Sequence, residues 1–292
     1  MQKKIASLAV GLIIVGACSS AVSALPAMGP PKALVGQDQW SIGLGYSYSQ
    51  MDLEATGNSR EDTGTGEWAD SGWLGSKHDI KDLTSNLVLG QLGYGVAQNL
   101  DLFLCLGVSD AKDDLKEIVA SDAAAGEYSG LDNSFGFAWG FGARATFFQD
   151  GDVTWGGLIQ AIWENPRDGD ISFSSEAGDF PSRMTGDAEL DLREIQVAAG
   201  PTLQLESFCI YGGPFLHFVK GDVEISVSGT NPDFPDASPN RVELSEDIRE
   251  ESIFGVYAGL QGEASENTSW YAEYRMTGDA WGIGVGAVRR FK

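Results

Sequence analysis

Residues 135–147 read Phe-Gly-Phe-Ala-Trp-Gly-Phe-Gly-Ala-Arg-Ala-Thr-Phe, and this stretch decides the fold class. Its odd-numbered positions carry aromatic or apolar side chains, whereas its even-numbered positions are small or polar. Successive side chains of a β-strand point to opposite faces of the sheet, so this period of two predicts a strand. One face of that strand is wide and apolar, and the other is small or polar.

The same alternation recurs along the chain, starting with apolar side chains at Trp40, Ile42, Leu44, Tyr46 and Tyr48. The pattern predicts an all-β protein, an antiparallel up-and-down transmembrane barrel of about ten strands. The predicted strands are 39–53, 83–96, 100–109, 134–148, 153–164, 190–205, 208–227, 250–264, 268–277 and 281–291.

The connections between these strands alternate in length. Short ones fall at 97–99, 149–152, 206–207 and 265–267, long ones at 54–82, 110–133, 165–189 and 228–249, and a last tight one at 278–280. Transmembrane barrels sort their loops in this way, with short periplasmic turns and long external loops. The alternative, a soluble β-sandwich, also has period-two strands, but its bulky residues face a shared core and its loops are not sorted.

The C-terminal strand, Trp281 to Lys292, alternates apolar residues with Gly and ends on Phe291 and Lys292. It resembles the C-terminal assembly signal of bacterial outer-membrane barrels, although that signal normally ends on the aromatic residue itself. The resemblance covers residues 39–292. It implies a barrel domain in the outer membrane of a diderm bacterium. It also implies contact with the barrel assembly machinery and with outer-membrane lipid or lipopolysaccharide.

Aromatic residues near the predicted strand ends fit this environment. Amphipathic rings favour the lipid headgroup zone, where transmembrane barrels carry aromatic girdles. The predicted girdle consists of Trp40, Trp155, Trp163, Trp270, Trp281 and Phe291.

The N-terminus has two predicted segments. Residues 1–24 combine Lys3 and Lys4, an apolar stretch and small residues before position 25, which is typical of a cleaved secretory signal. The alternative is a lipoprotein signal that ends at Cys18. Residues 25–38 are rich in Pro and Gly and have no hydrophobic period, so we expect a flexible periplasmic leader.

No stretch is long and apolar enough for a transmembrane helix. Two buried, inert thiols are expected at Cys105 and Cys209.

The formal net charge is -23 at pH 7. Nucleic acid is therefore a poor partner, because its binding depends on Lys and Arg. Much of the acidity falls in the four long connections, where it attracts cations, so divalent cations are expected partners of the loops. No phosphate-binding glycine loop, dinucleotide fingerprint or zinc spacing occurs, and no cofactor or dedicated metal site is expected.

Continuing the alternation places a second set of residues on the face opposite the lipid. A narrow interior makes an isolated charge costly, so we expect Arg and Glu to pair across the lumen. The predicted lumen charges are Arg144, Glu164, Glu194, Glu273, Arg275 and Arg290.

These features predict a structural or surface-interaction barrel with a polar, largely plugged lumen and no catalytic residues. One alternative is a narrow cation-preferring channel for small solutes. A second is a surface enzyme. Some ten-stranded barrels are omptin proteases, and the His78-Asp79 and Asp113-Asp114 pairs are similar to the Asp pair and His-Asp pair of that family. An outer-membrane lipid hydrolase has no better support.

Overall fold

The computed structural model describes residues 25–62, 67–70, 78–113, 126–165, 169–175, 184–229 and 240–291. Most of these residues form strands, and none of their segments is a helix long and apolar enough to cross a membrane. The strands are β1 (Trp40–Asp62), β2 (Ala69–Asp70), β3 (His78–Ala97), β4 (Leu100–Asp113), β5 (Gly126–Asp150), β6 (Val153–Asn165), β7 (Gly169–Ser175), β8 (Met184–Gln204), β9 (Phe208–Gly229), β10 (Asn240–Arg249), β11 (Phe254–Ser265), β12 (Thr268–Met276) and β13 (Ala280–Phe291).

Ten of these strands close into a ring. Their order is β1, β3, β4, β5, β6, β8, β9, β11, β12 and β13, with antiparallel neighbours throughout. β13 returns to β1, from Trp40 opposite Phe291 to Met51 opposite Ala280. Closure gives the backbone polar groups partners, as a sheet in hydrocarbon requires. The predicted antiparallel barrel of about ten strands is confirmed.

The barrel narrows beyond the β12–β13 turn. β1 pairs with β13 up to Met51, has a bulge between Met51 and Leu53, and pairs with β10 from Glu54 onward. β10 also pairs with β9, and β7 replaces β6 between β5 and β8. The wall beyond the turn therefore consists of eight described strands, namely β1, β3, β4, β5, β7, β8, β9 and β10. An eight-stranded barrel is just wide enough for its own side chains to fill.

Apolar side chains fill this narrower part. Leu53, Leu192, Val219 and Ile248 lie on four of its strands, are at most 3% exposed and belong to one packed cluster. Leu83 and Leu190 belong to the same cluster. The four residues lie on neighbouring strands, at the step between the wider ten-stranded part and the outer end of the barrel.

The outer face changes character at a defined level. On β8 and β9, the cross-strand pair Ile195 and Phe218 is 44% and 38% exposed, and two residues farther the pair is Arg193 and Lys220. An exposed apolar band that ends at charged residues marks the edge of the lipid zone. The band includes Ile42, Leu44, Leu102, Leu104, Leu106, Phe137, Phe141, Ile159, Val197, Ile210, Leu216, Val256, Leu260, Ile283 and Val285.

Much of the predicted long loops is strand. β1 continues to Asp62, β5 begins at Gly126, β8 begins at Met184 and β10 forms the last ten residues of the connection expected at 228–249. The loop prediction is wrong for these segments. In β1, β8 and β10 the described outward side chains are polar or charged and contact water instead of lipid, while the described inward side chains remain partly apolar. Of the expected loops, 63–66, 71–77, 114–125, 166–168, 176–183 and 230–239 lie outside the described residues.

The expected flexible leader lies inside the barrel instead. Leu25 and Met28 have no exposed surface, and Val35 is 5% exposed. The segment runs from the level of Ser49, whose hydroxyl accepts a hydrogen bond from Leu25 N, to the periplasmic rim, where Asp38 N donates to Gly95 O. We call residues 25–38 the plug. A ten-stranded ring with a small inward face leaves a space that the plug fills, so the prediction of a flexible leader is wrong.

Candidate functional site: the filled lumen

The centre of the plug is held by a carboxylate on β12. Glu273 accepts hydrogen bonds from the backbone N–H groups of Met28, at 3.1 Å, and Gly29, at 2.9 Å. Arg275, two residues along the same strand, donates from Nη1 to Glu273 at 3.0 Å, and neither side chain has exposed surface. The guanidinium thereby orients and compensates the carboxylate that binds the plug.

Two further wall residues bind plug carbonyls. Arg144 on β5 donates from Nη2 to Met28 O at 2.9 Å, and its guanidinium lies 4.4 Å from the centre of the Phe103 ring. Gln160 on β6 donates to Pro26 O at 3.4 Å and to the Gln196 side chain at 2.8 Å. These contacts reach backbone carbonyls of the plug. They therefore fix the path of the plug but do not select its side chains.

Hydroxyl and carboxylate groups hold the two ends of the plug. Ser47 accepts a hydrogen bond from Ala27 N at 2.8 Å, and Thr146 accepts one from Ala33 N at 3.1 Å. Near the periplasmic rim, Asp101 accepts hydrogen bonds from the N–H groups of Leu34 and Val35. Buried backbone N–H groups outside a sheet need such partners, and the wall supplies them along the plug.

Little free space remains around the plug. A cavity of about 20 Å³ lies between Ala27 and the wall residues Ser47, Gln91, Cys105 and Tyr271. That volume is roughly enough for a single water molecule. This cavity is too small to hold a hydrated ion.

A second buried polar group lies where the barrel narrows. The His217 ring on β9 has Nε2 3.0 Å from Glu194 and Nδ1 2.6 Å from Glu250, and all three side chains have no exposed surface. Both ring nitrogens can donate only when the imidazole is protonated. Thr277 in the β12–β13 turn donates to Glu250 at 2.8 Å. This network therefore joins the turn to the wall at the step from ten strands to eight.

The structure places five of the six predicted lumen charges in the interior: Arg144, Glu164, Glu194, Glu273 and Arg275 are at most 5% exposed. Arg290 is different. Its side chain is 32% exposed at the periplasmic rim, and its Nη2 lies 3.2 Å from Glu263. The predicted pairing also differs: Arg275 pairs with Glu273 on its own strand, whereas Arg144 donates to the plug.

The predicted girdle residues lie on the outer face. Trp40, Trp155, Trp281 and Phe291 are between 36% and 49% exposed, and Trp163 and Trp270 are half-buried. Trp163 stacks on Trp139 with ring centroids 4.5 Å apart, and Trp40 lies 4.7 Å from Tyr94. These rings lie at the two ends of the apolar band.

The two cysteines form no disulfide among the described residues, and the structure gives only backbone positions for most of the proposed protease residues. Cys105 and Cys209 are buried and unpaired. The His78 backbone lies opposite Ala55, and Asp113 lies opposite Leu131 on another strand pair. The side chains of His78, Asp79 and Asp113 and the whole of Asp114 lie outside the described residues. No group of His, Cys, Asp or Glu among the described side chains is arranged to hold a metal ion.

Sequence reasoning missed the plug contacts and the His217 network. The missed wall residues include Ser47, Asp101 and Thr146, which the alternation places on the inward face without any sign of a ligand. One signal was available: β1 presents Gly43, Gly45, Ser47 and Ser49 to the lumen. Such small side chains cannot fill a ten-stranded ring, which implies that another segment occupies it.

The closed ring and its apolar outer band define the class: the chain is an outer-membrane β-barrel. No protein family and no curated protein matches its sequence. Among solved structures it is similar to the outer membrane protease OmpT from Escherichia coli, with 9% identity, a TM-score of 0.43 and coverage of 93% of this chain and 97% of that one.

Two other solved structures have similarly low sequence identity to this chain. The toluene transporter TbuX of Ralstonia pickettii has 11% identity and a TM-score of 0.38, covering 90% of this chain and 92% of that one. Ail, the attachment invasion locus protein of Yersinia pestis, has 13% identity and a TM-score of 0.25, covering 87% and 99%. The three are a protease, a transporter and an attachment protein, so the likeness selects no activity for this chain.

Proposed function

We propose that this protein is a sealed outer-membrane barrel whose role is structural or surface interaction, with the plug closing the lumen. The observation that carries the proposal is the seating of Met28 and Gly29 on Glu273 inside the ten-stranded ring. The buried plug binds the wall along its length, so it stays in place as part of the fold.

A second seal supports the same proposal. The apolar layer of Leu53, Leu192, Val219 and Ile248 lies between the plug and the outer end of the barrel. These side chains pack in one cluster and leave an ion little room, although the carboxylates of Glu164 and Glu194 lie opposite Leu192 and Val219 on the neighbouring strands. A narrow cation channel would require both the plug and this layer to rearrange.

The eight-stranded part is the portion available for interaction. β9 continues about ten residues past Phe218, which at roughly 3.3 Å per residue and a tilt of about 40° extends the wall roughly 25 Å beyond the lipid. The outward side chains of the eight-stranded part include Asp222, Glu224, Glu189 and Asp247. An acidic surface of this kind attracts cations, so divalent cations are the proposed loop partners.

Planar-bilayer conductance of the refolded mature protein tests the proposal. We expect no discrete openings from a sample whose shift in gel mobility on heating shows a folded barrel. Discrete cation-selective steps that change in the Glu194→Gln variant would favour the channel. Peptide hydrolysis that the His78→Ala variant abolishes would favour the omptin-like enzyme.

A positive control establishes that silence reflects the two seals. The control variant lacks residues 25–35 and carries Leu192→Ser and Val219→Ser, which removes the plug and makes the apolar layer polar. We expect this variant to conduct once gel mobility shows that it is folded. Equal conductance of the folded control variant and the wild type would contradict the proposed role of the seals.

A further inference from the structure

Three basic residues stand in one row on adjacent strands of the outer face. Arg193 on β8 is opposite Lys220 on β9, and Lys220 is opposite Arg249 on β10. The side chains of Arg193 and Arg249 are 64% and 63% exposed, and Lys220 is exposed too. With strands about 4.8 Å apart, the row spans roughly 10 Å. We call these three residues the basic row.

The basic row lies at the edge of the lipid zone. The next cross-strand pair toward the periplasm is Ile195 and Phe218, which belongs to the exposed apolar band. Long basic side chains at this level can place their stems on apolar surface and their charges among headgroups. Arginine and lysine are also the residues that bind phosphate groups.

The basic row is only partly neutralised by the protein. Arg249 donates from Nε and Nη2 to Glu54, which is buried, and Arg193 lies 3.8 Å from Asp222. Lys220, between them, has no ion-pair partner among the described residues. Like charges directly opposite each other on neighbouring strands are destabilising, so the arrangement favours a bound anion.

The rows beyond it restrict where that anion comes from. Asp191, Asp222 and Asp247 form the next row, about 7 Å farther from the lipid, and Glu189 and Glu224 follow. These carboxylates repel a soluble anion that approaches from the aqueous side. A phosphate carried by a lipid reaches the basic row from the apolar side and avoids them.

We propose that Arg193, Lys220 and Arg249 bind a phosphate group of an outer-leaflet lipid whose acyl chains pack on the apolar band. Lys220 supplies the central charge, while Arg193 and Arg249 supply planar donors on either side. This site does not depend on whether the lumen conducts, so it can fail or succeed independently of the sealed-barrel proposal.

Native mass spectrometry of the full mature protein with lipid A tests the site. The matched probe is the same lipid without its phosphates, and inorganic phosphate is the soluble competitor. We expect wild-type protein to bind lipid A about tenfold more tightly than the dephosphorylated lipid, since hydrogen bonds between charged groups are the strong ones. Millimolar inorganic phosphate should not displace the lipid.

Two single variants and one control make the result specific. Lys220→Gln and Arg193→Gln should each raise the Kd for lipid A about fivefold to tenfold and leave the Kd for the dephosphorylated lipid unchanged. Arg289→Gln removes an exposed charge at the periplasmic edge of the lipid zone and should leave the Kd for both lipids unchanged. Equal lipid A binding by wild type and both variants would overturn the proposal. Displacement by inorganic phosphate would overturn the lipid origin of the ligand.

Discussion

Glu273 accepts a hydrogen bond from the backbone N–H of Gly29 across 2.9 Å, although the two residues lie near opposite ends of the sequence. The contact ties the start of the described chain to the strand that forms the last hairpin. β12 and β13 also complete the ten-stranded ring. The strand that binds the plug therefore also takes part in closing the ring.

The carboxylate charge of Glu273 strengthens this contact. In Glu273→Gln, one plug N–H keeps a neutral acceptor, the other faces the amide NH2 and loses its acceptor, and Arg275 loses its compensating charge. We expect a loss of about 1.5–3 kcal/mol in the free energy of unfolding. Urea unfolding followed by tryptophan fluorescence measures the loss. Glu263→Gln, at the exposed periplasmic rim, is the matched control and should change it by less than about 0.5 kcal/mol.

Gly95 gives the plug room at the periplasmic rim. A Cβ added at Gly95 would overlap the carbonyl oxygen of Gly36 in the plug. Gly95→Ala should therefore destabilise the barrel by about 1–3 kcal/mol through overpacking and increase protease cleavage within residues 25–38. Gly90→Ala, on the same strand, meets its nearest neighbour at 3.4 Å and should have little effect. Equal cleavage of the two variants would show that close packing at Gly95 does not hold the plug.

The His217 ring lies between the buried carboxylates of Glu194 and Glu250, an arrangement that a protonated imidazole satisfies. His217→Gln removes the charge that Glu194 and Glu250 share, and we expect a loss of about 3–5 kcal/mol in the free energy of unfolding. The triple variant with Glu194→Gln and Glu250→Gln should recover most of that loss, because it removes the charges together. A His217→Gln variant as stable as the wild type would contradict a protonated His217 between the two carboxylates.

The two thiols should be inert in the folded barrel. Cys105 is 5% exposed and Cys209 is 7% exposed, and burial of this extent blocks a water-soluble maleimide. We expect labelling of neither cysteine before urea unfolding and of both after it, as measured by intact mass. Rapid labelling of the folded protein at either position would contradict the packing described for that strand.

The sequence predicts the wall of the lipid-spanning barrel well, for a physical reason. Lipid requires an apolar residue at every second position. In strands such as 135–147 the alternation of apolar with small or polar residues is therefore visible in the sequence itself. Above Phe218 the outward residues are Lys220, Asp222 and Glu224. Water replaces lipid there, the outward apolar signal ends, and the remaining strands resemble polar loops in the sequence.

The plug could not be predicted from its own residues. Pro26, Pro30 and Pro31 have the composition of a mobile linker, and the segment binds the wall mainly through backbone groups, which every sequence has. The information lies instead in the wall, in small inward residues such as Gly43 and Ser47. For the same reason the inward charge of Glu273 was predictable from strand alternation, but its ligand in the plug was not.

Amide hydrogen exchange of residues 25–38, measured by mass spectrometry on the folded mature protein, tests the central claim most directly. If the plug is seated on Glu273, Arg144 and Asp101, its amides should exchange as slowly as those of the wall peptide from Trp281 to Phe291, over hours. Complete exchange of the 25–38 peptide within seconds, while the wall peptide stays protected, would contradict the account, because it would show that this segment is not held in the lumen.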